Sequence, residues 1–103
     1  MRWYDALWVG PGAVRHKRRI ISSIEKHKPA AGTYLIMLAE NPAEQLDIVP
    51  AGMLEQRAAY HPEEPYILGI ASGKKEAFEL VEKMVDYIYR ETGTLNIRDY
   101  FSE

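Results

Sequence analysis

The chain has 103 residues with no cysteine, and 47% of its residues are hydrophobic and 27% charged. This composition excludes an intrinsically disordered tail, a disulfide-stabilised miniprotein and a collagen-like fibre. The lack of cysteine also excludes thiol catalysis, iron–sulfur ligation and thiolate zinc sites. A chain of this length can bury one hydrophobic core, so we expect a single compact domain over residues 1–103, with residues 50–65 as an insertion or loop region.

The formal net charge of −2 conceals an uneven distribution along the chain. Residues 1–28 contain seven Lys and Arg against Asp5 and Glu25, a net charge of +5, and the remaining residues carry −7. No stretch has the roughly 18 consecutive apolar residues of a transmembrane helix. Asp5 also interrupts the apolar run that a signal peptide needs. We therefore expect a cytoplasmic protein without membrane contact.

The first third of the chain predicts strand, helix and strand in that order. The aromatic and apolar run Trp3–Val9 favours a strand, and Gly10-Pro11-Gly12 supplies the residues of a tight turn after it. Apolar positions at helical spacing predict a helix between Ala13 and Lys28, which Pro29 stops. The nearly continuous apolar run Thr33–Ala39 is typical of a strand that is covered on both faces.

The middle of the chain gives a weaker pattern. After a turn over residues 40–44, the run Leu46–Val49 predicts a short strand. Residues 53–60 fit one or two helical turns, and the proline-bounded segment His61–Pro65 predicts an acidic loop. Tyr66–Ala71 then repeats the pattern of a buried strand.

The clearest helix of the chain begins after Ser72-Gly73. Its apolar residues recur at steps of three and four, the spacing of one helical stripe, and Gly93 is a natural terminator just beyond it. The last run, Leu95–Phe101, is short enough to be a final edge strand or an ordered tail. The positions of the stripe are Ala77, Phe78, Val81, Met84, Val85 and Ile88.

This order of elements predicts an α/β (α+β) sandwich of the ferredoxin-like type, or a split βαβ variant, with two main helices on a small mixed sheet. A small three-layer arrangement is the alternative, because the strands look covered on both sides. A dimer that buries the second sheet face would reconcile the two.

The starts of the two predicted helices carry cations where acidic residues are usual. Arg15 and Lys17 follow Gly12, and Lys74 and Lys75 follow Gly73, although a helix N-terminus carries partial positive charge. In the split βαβ plan, the strands that end at Val9 and Ala71 are adjacent and parallel, so both helix starts open at one edge of the sheet. Free N–H groups and cations would then converge, which attracts phosphate or carboxylate groups.

The best hypothesis for function is therefore a binding site for a small anionic, phosphate-bearing ligand. The opposing interpretation is that the glycines serve their own turns and the cations are merely exposed. No nucleotide motif supports the site, since Arg15 stands where G-x-G-x-x-G needs its third glycine. The alternative function is a homo-oligomerising, most simply dimeric, or partner-binding module without a small ligand. The candidate ligand-binding residues are Gly10, Gly12, Arg15, Lys17, Ser72, Gly73, Lys74 and Lys75.

Other candidate sites are weaker. The basic run Arg15–Arg19 could contact nucleic acid, but a solvated helix face is favoured because the chain as a whole is acidic, with a pI near 5.9. His16 and His27 are too far apart along one helix to share a metal ion, and His61 lies in the proline loop. The sequence predicts no metal and no cofactor.

Asp5 and Asp47 are the candidates for acid–base chemistry, because each interrupts an otherwise apolar strand. The plainer interpretation is that each carboxylate points to solvent or accepts a hydrogen bond at a strand edge. No serine lies in a G-x-S-x-G motif. The sequence therefore contains no readable catalytic signature.

Overall fold

The computed structural model describes residues 1–29, 31–39, 41, 44–60 and 63–102. The predicted turn at residues 40–44 and the predicted loop at 61–65 lie partly outside the described residues. Short 3-10 turns at Val14–His16 and Ala51–Met53 precede the first two helices. In chain order the strands and helices are β1 (Arg2–Val9), α1 (Lys17–Glu25), β2 (Thr33–Leu38), β3 (Leu46–Pro50), α2 (Leu54–Tyr60), β4 (Tyr66–Ser72), α3 (Lys74–Thr92) and α4 (Ile97–Phe101).

The four strands form one mixed sheet in the order β1-β4-β2-β3. β1 runs parallel to β4, with Val9 opposite Ile70, which confirms the prediction that the strands ending at Val9 and Ala71 are adjacent and parallel. β2 is antiparallel to both β3 and β4. β3 and β4 are therefore parallel to each other on either side of β2, and the segment with α2 connects them.

Alternate residues of the central strands enter two separate hydrophobic clusters, because successive side chains of a strand point to opposite faces of the sheet. Ile36 and Leu68 pack on one face against α3 and α4. Leu35 and Ile67 pack on the other face against Ile24 of α1 and the residues around α2. The sheet is thus covered by helices on both faces.

The helix α3 covers most of its face of the sheet. Ala77, Leu80, Met84 and Ile88 are its buried residues, and their spacing places them on one stripe. The helix ends as predicted at Gly93, whose left-handed conformation (φ 73°) lets its N–H donate to the Tyr89 carbonyl at 2.8 Å.

Of the two alternatives for Leu95–Phe101, a final edge strand or an ordered tail, the strand is wrong, since Ile97–Phe101 forms the short helix α4. The Asn96 side chain caps this helix by accepting a hydrogen bond from the Asp99 N–H at 3.2 Å. Ile97 and Phe101, one helical turn apart, are both buried. Local capping and this apolar pair therefore outweigh the strand-like composition.

The helix α4 is tied to two distant parts of the chain. The Ile97 N–H donates to the Gln45 side chain at 2.6 Å, and the Arg98 guanidinium donates to the Ala39 carbonyl. The Phe101 ring meets the Tyr4 ring edge to face, with 4.9 Å between ring centroids. These contacts close the end of the sheet at which β1 and β4 begin.

The structure confirms a small α+β architecture with helices on a four-stranded mixed sheet. The ferredoxin-like detail is not confirmed, because helices lie on both faces as in the three-layer alternative. The helix predicted between Ala13 and Lys28 is also shorter, with a 3-10 turn first and α1 ending at Glu25. Only Ile24 of α1 is buried, so few contacts hold the ends of this helix.

Replacing Leu68 with alanine should lower the free energy of unfolding by about 2–5 kcal/mol, because this side chain is 0% exposed in the α3 cluster. The matched control Leu95→Ala removes the same atoms at a position that is 56% exposed, and should change stability by less than about 0.5 kcal/mol. Urea denaturation of both variants measures the difference. Equal losses would contradict the assignment of the core.

Candidate functional site

The two glycine corners of the chain meet at the edge of the sheet where β1 and β4 end. The backbone N–H groups of Gly12 and Ser72 each donate a hydrogen bond of 2.6 Å to the Glu76 side chain, one to each carboxylate oxygen. A Cβ atom built on Gly12 would lie 3.2 Å from the Ser72 Cβ. We call this arrangement of Gly12, Ser72 and Glu76 the Glu76 clamp.

The clamp follows from the position of Glu76 in its helix. Gly73 occupies the N-cap of α3 and has no side chain to cap the helix, and Glu76 is the acidic residue of the first turn. A glutamate at this third helical position can turn back to bind N–H groups ahead of the helix, and its charge complements the helix dipole. This single residue therefore satisfies the electrostatic preference that Lys74 and Lys75 violate.

The clamped position of the carboxylate leaves no room for a Cβ atom at Gly10 or Gly12. A Cβ atom on Gly10 would overlap the Glu76 carboxylate, and one on Gly12 would lie only 2.8 Å from its Oε1. The Gly10 N–H itself donates to the Ile70 carbonyl at 2.9 Å, which continues the pairing of β1 with β4. The glycine-rich turn after β1 thus lets the side chain of Glu76 approach the backbone.

A polar cavity of about 270 Å³ lies next to the clamp. Lys75 and Lys83 line it together with Glu76 and Glu79, so the formal charges in its wall balance. The Gly73 N–H is turned to the Gly32 carbonyl at 2.7 Å rather than into this cavity. The cavity therefore has no excess of positive charge, and the Gly73 N–H does not point into it.

The structure brings Gly10, Gly12 and Ser72 together, with Lys75 beside them, but not Arg15 and Lys17. Arg15 and Lys17 are exposed and line a separate shallow surface made of residues 14–19 alone. Lys74 is exposed at the first position of α3. Ligand binding by the predicted set stays a prediction, and the N–H groups of Gly12 and Ser72 already bind Glu76.

The sequence did not single out Glu76, because the start of the helix was characterised by its two lysines alone. The available signal was a glutamate three residues after the capping glycine, in the position of a capping box. Its partner Ser72 is only four residues away, but Gly12 lies 64 residues away in the sequence and could not be read locally.

The other candidate side chains remain apart. Asp5 is exposed on β1 and Asp47 is half-buried on β3, so they occupy opposite edges of the sheet. Asp47 pairs with the Arg57 guanidinium at 2.9 Å. Across the described residues, His, Asp and Glu side chains form no group of three that could hold a metal ion. His61 lies outside the described residues.

A second surface follows β3, the edge strand at the other side of the sheet. A groove of about 580 Å³ runs between β3 and α2, lined by Ile48, Val49, Pro50, Met53, Gln56, Arg57 and Tyr60. The Tyr60 side chain is 83% exposed there and Met53 is 46% exposed. We call β3 and this groove the β3 edge.

The direction of the backbone groups of β3 follows from the hydrogen bonds beside it. Ala39 donates to Gln45 and Gly73 donates to Gly32. Hydrogen-bonded and non-hydrogen-bonded pairs alternate along antiparallel strands. Ala39 and Gln45 form a hydrogen-bonded pair, and counting along β3 from them gives the direction of each residue's backbone groups. The bond between Gly73 and Gly32, on the other side of β2, gives the same alternation. Asp47 and Val49 face β2, and the N–H and C=O groups of Leu46 and Ile48 face away from the sheet.

The opposite edge, β1, is irregular. Trp3 pairs with Ile67 and Trp8 pairs with Gly69. An advance of five residues along β1 is therefore matched by an advance of only two residues along β4, which is a bulge in β1. Asp5 and the following Ala6 are exposed within this bulge. Bulges and charges of this kind protect an edge strand against further pairing. The register of β2 with β3 has no such break.

No family model, curated protein or solved structure matches this chain. Through the ranges that the structure describes, no helix is long and apolar enough to cross a membrane.

Replacing Glu76 with alanine should lower the free energy of unfolding by about 1–2 kcal/mol, because two backbone N–H groups lose charged hydrogen-bond partners. The control Glu79→Ala removes a neighbouring carboxylate from the same helix and should cost less than about 0.5 kcal/mol. Urea denaturation compares the two variants. A loss for Glu76→Ala no larger than that of the control would show that the clamp does not stabilise the fold.

Proposed function

We propose that this protein is an interaction module that binds an extended β-strand along the β3 edge. The observation that carries the proposal is the outward direction of the N–H and C=O groups of Leu46 and Ile48 on a regular edge strand. Strand addition to such an edge supplies main-chain hydrogen bonds, and neighbouring pockets select side chains. This agrees with the partner-binding alternative drawn from the sequence.

Exposed apolar side chains border the β3 edge on the face of α2. Met53 and Tyr60 are both exposed and line the groove beside the strand. Methionine and tyrosine are enriched in the buried centres of protein interfaces. An added strand would cover both side chains while it pairs with β3.

The face of the sheet that α3 covers also has an exposed apolar side chain near the β3 edge, Phe78. Tyr87 of α3 contacts Trp8 of β1, with 5.4 Å between ring centroids. Phe78 lies about two and a half turns from Tyr87 along α3, so its side chain points away from β1 and toward the β3 side. It is 51% exposed. Both faces therefore offer apolar surface to a molecule bound at this edge.

Hydrogen exchange with a strand-forming peptide tests this function. The probe is an eight-residue peptide of alternating valine and threonine with a lysine at each end. Its addition should slow amide exchange at Leu46 and Ile48, measured by NMR, and leave Asp5 and Ala6 of the bulged edge unchanged. Protection confined to β1, or none at a saturating concentration of peptide in a sample that light scattering shows to be monomeric, would refute the proposal.

Anion binding at the corner is the second candidate function, with the residues Gly10, Gly12, Arg15, Lys17, Ser72, Gly73, Lys74 and Lys75. The observation in its favour is that the Gly12 and Ser72 N–H groups hold both oxygens of a carboxylate. An external phosphate or carboxylate would have to replace Glu76. Such a ligand therefore competes with a group of the protein itself.

If the corner accepts external anions, phosphate should raise the melting temperature of Glu76→Ala more than that of the unchanged protein, because the two N–H groups become free. Adding Lys74→Glu and Lys75→Glu to that variant should remove the effect. Thermal unfolding in phosphate and in chloride at equal ionic strength provides the measurement. Equal behaviour of all three proteins would reject anion binding at this corner.

A further inference from the structure

We infer that the strand received by the β3 edge is β3 of a second copy of this chain, antiparallel and related by a twofold axis at Ile48. The inference rests on the proposed function and adds the identity of the partner. The result is one continuous sheet through two copies, in which β3 of each copy becomes a central strand. We choose a second copy as the partner because two β3 strands match each other in hydrogen bonding, charge and side-chain packing.

Hydrogen bonding excludes an axis at Val49. With the axis at Ile48, the two Ile48 residues exchange N–H to C=O bonds in both directions, and each Leu46 N–H meets the Pro50 C=O of the other copy. Pro50 has no N–H. An axis at Val49 would place Ile48 opposite Pro50 and leave both Ile48 C=O groups without a donor. An axis at Ile48 or at Asp47 uses every outward N–H group of β3, so hydrogen bonding leaves these two positions.

Charge decides between the two remaining positions. An axis at Asp47 would set the two Asp47 carboxylates directly opposite each other, and like charges across adjacent strands are destabilising. With the axis at Ile48, each Asp47 lies opposite Val49 of the other copy. Its own Arg57, at 2.9 Å, remains available to balance the carboxylate. The aspartate on β3 thus disfavours the nearest competing register.

The side chains at the junction are also matched. Leu46 and Ile48 lie on the α3 face of the sheet, and alternation along the strand places Pro50 on that face as well. Across the axis, Ile48 meets Ile48 and Leu46 meets Pro50, so only apolar groups face each other. Because the axis is perpendicular to the sheet, each helix layer of one copy adjoins the same layer of the other. The exposed Phe78 side chains then flank the junction on one face, and those of Met53 and Tyr60 flank it on the other.

The other edge cannot form an equivalent junction. The bulge between Trp3 and Trp8 breaks the alternation of backbone groups in β1, and the exposed Asp5 lies within it. A twofold pairing of β1 with itself would lack a regular run of donors and acceptors. The asymmetry of the two edges favours a closed dimer over an open chain of copies.

Cysteine cross-linking tests the register, since the natural chain contains no cysteine. In the inferred dimer, residue 46 of one copy lies opposite residue 50 of the other, about 5.5 Å apart between Cα atoms, within the range of a disulfide. The two residues 46 lie roughly 14 Å apart along the strands. A mixture of Leu46→Cys and Pro50→Cys proteins should therefore form a mixed disulfide dimer under mild oxidation, identified by mass spectrometry.

Each of these two variants oxidised alone should remain largely unlinked. Ala6→Cys, an exposed position on the bulged edge, is the matched control and should also stay unlinked. Preferential self-linkage of Leu46→Cys, or efficient linkage of Ala6→Cys, would overturn the inferred junction.

Light scattering tests the association itself. The unchanged protein should approach twice the chain mass of 11.8 kDa as its concentration rises. Ile48→Lys should raise the dissociation constant of the dimer by about tenfold or more, because two ammonium groups would meet at the axis. The control Ala6→Lys adds the same charge at the other edge and should leave the dimer intact. Circular dichroism establishes that both variants are folded.

The outcomes separate this inference from the proposed function. A protein that stays monomeric at millimolar concentration, with no mixed disulfide, would overturn the homodimer. If the valine–threonine peptide still protects Leu46 and Ile48 in that monomer, strand binding stands and the partner is a different chain. If the peptide also fails, both the function and the inference are refuted.

Discussion

The two-sided burial of the sheet determines how this molecule can meet others. Residues such as Leu35 and Ile36 are adjacent in β2 and both 0% exposed, because helices pack over opposite faces of the sheet. A sheet covered in this way offers its backbone to a partner only at its edge strands. The properties of β1 and β3 therefore decide whether and where the protein pairs with another strand. The bulge in β1 and the regular register of β3 make the two edges different, and the proposed strand-binding function assigns pairing to β3 alone.

The Glu76 clamp shows how the chain itself compensates for two cations at the N-terminus of a helix. Two lysines open α3, yet the carboxylate at the third position binds the N–H groups of both Gly12 and Ser72. An intramolecular group competes with dissolved anions at a high effective concentration. Two of the groups that predicted an anion site, the N–H groups of Gly12 and Ser72, thus bind a carboxylate of the protein itself, in a bond that joins the first turn of α3 to the turn after β1. This bond fixes the end of the parallel pair β1 and β4.

The sequence was most informative where one periodicity dominated. The stripe from Ala77 to Ile88 predicted α3, and the apolar runs predicted β2 and β4 because burial on both faces requires such runs. The adjacency of the corners near Gly12 and Ser72 followed from the parallel pairing. Three features were beyond its reach: the turn of Glu76 toward a residue 64 positions away, the bulge in β1 and the helical state of Ile97–Phe101. The first two depend on contacts between distant segments, and the third combines the local Asn96 cap with a hydrogen bond from the Ile97 N–H to the distant Gln45.

The same logic explains why Asp47 belongs to the edge rather than to a catalytic pair. A carboxylate on an edge strand normally discourages further pairing. Here the Arg57 guanidinium of α2 pairs with the Asp47 carboxylate at 2.9 Å. The Asp47 side chain lies on the α2 face of the sheet, away from the apolar row that Ile48 forms with Leu46. The charge therefore does not block the approach of a strand, but it does oppose any register that sets two copies of Asp47 against each other. In the proposed strand-binding function, this one ion pair leaves β3 open to a strand and restricts the register in which β3 could pair with itself.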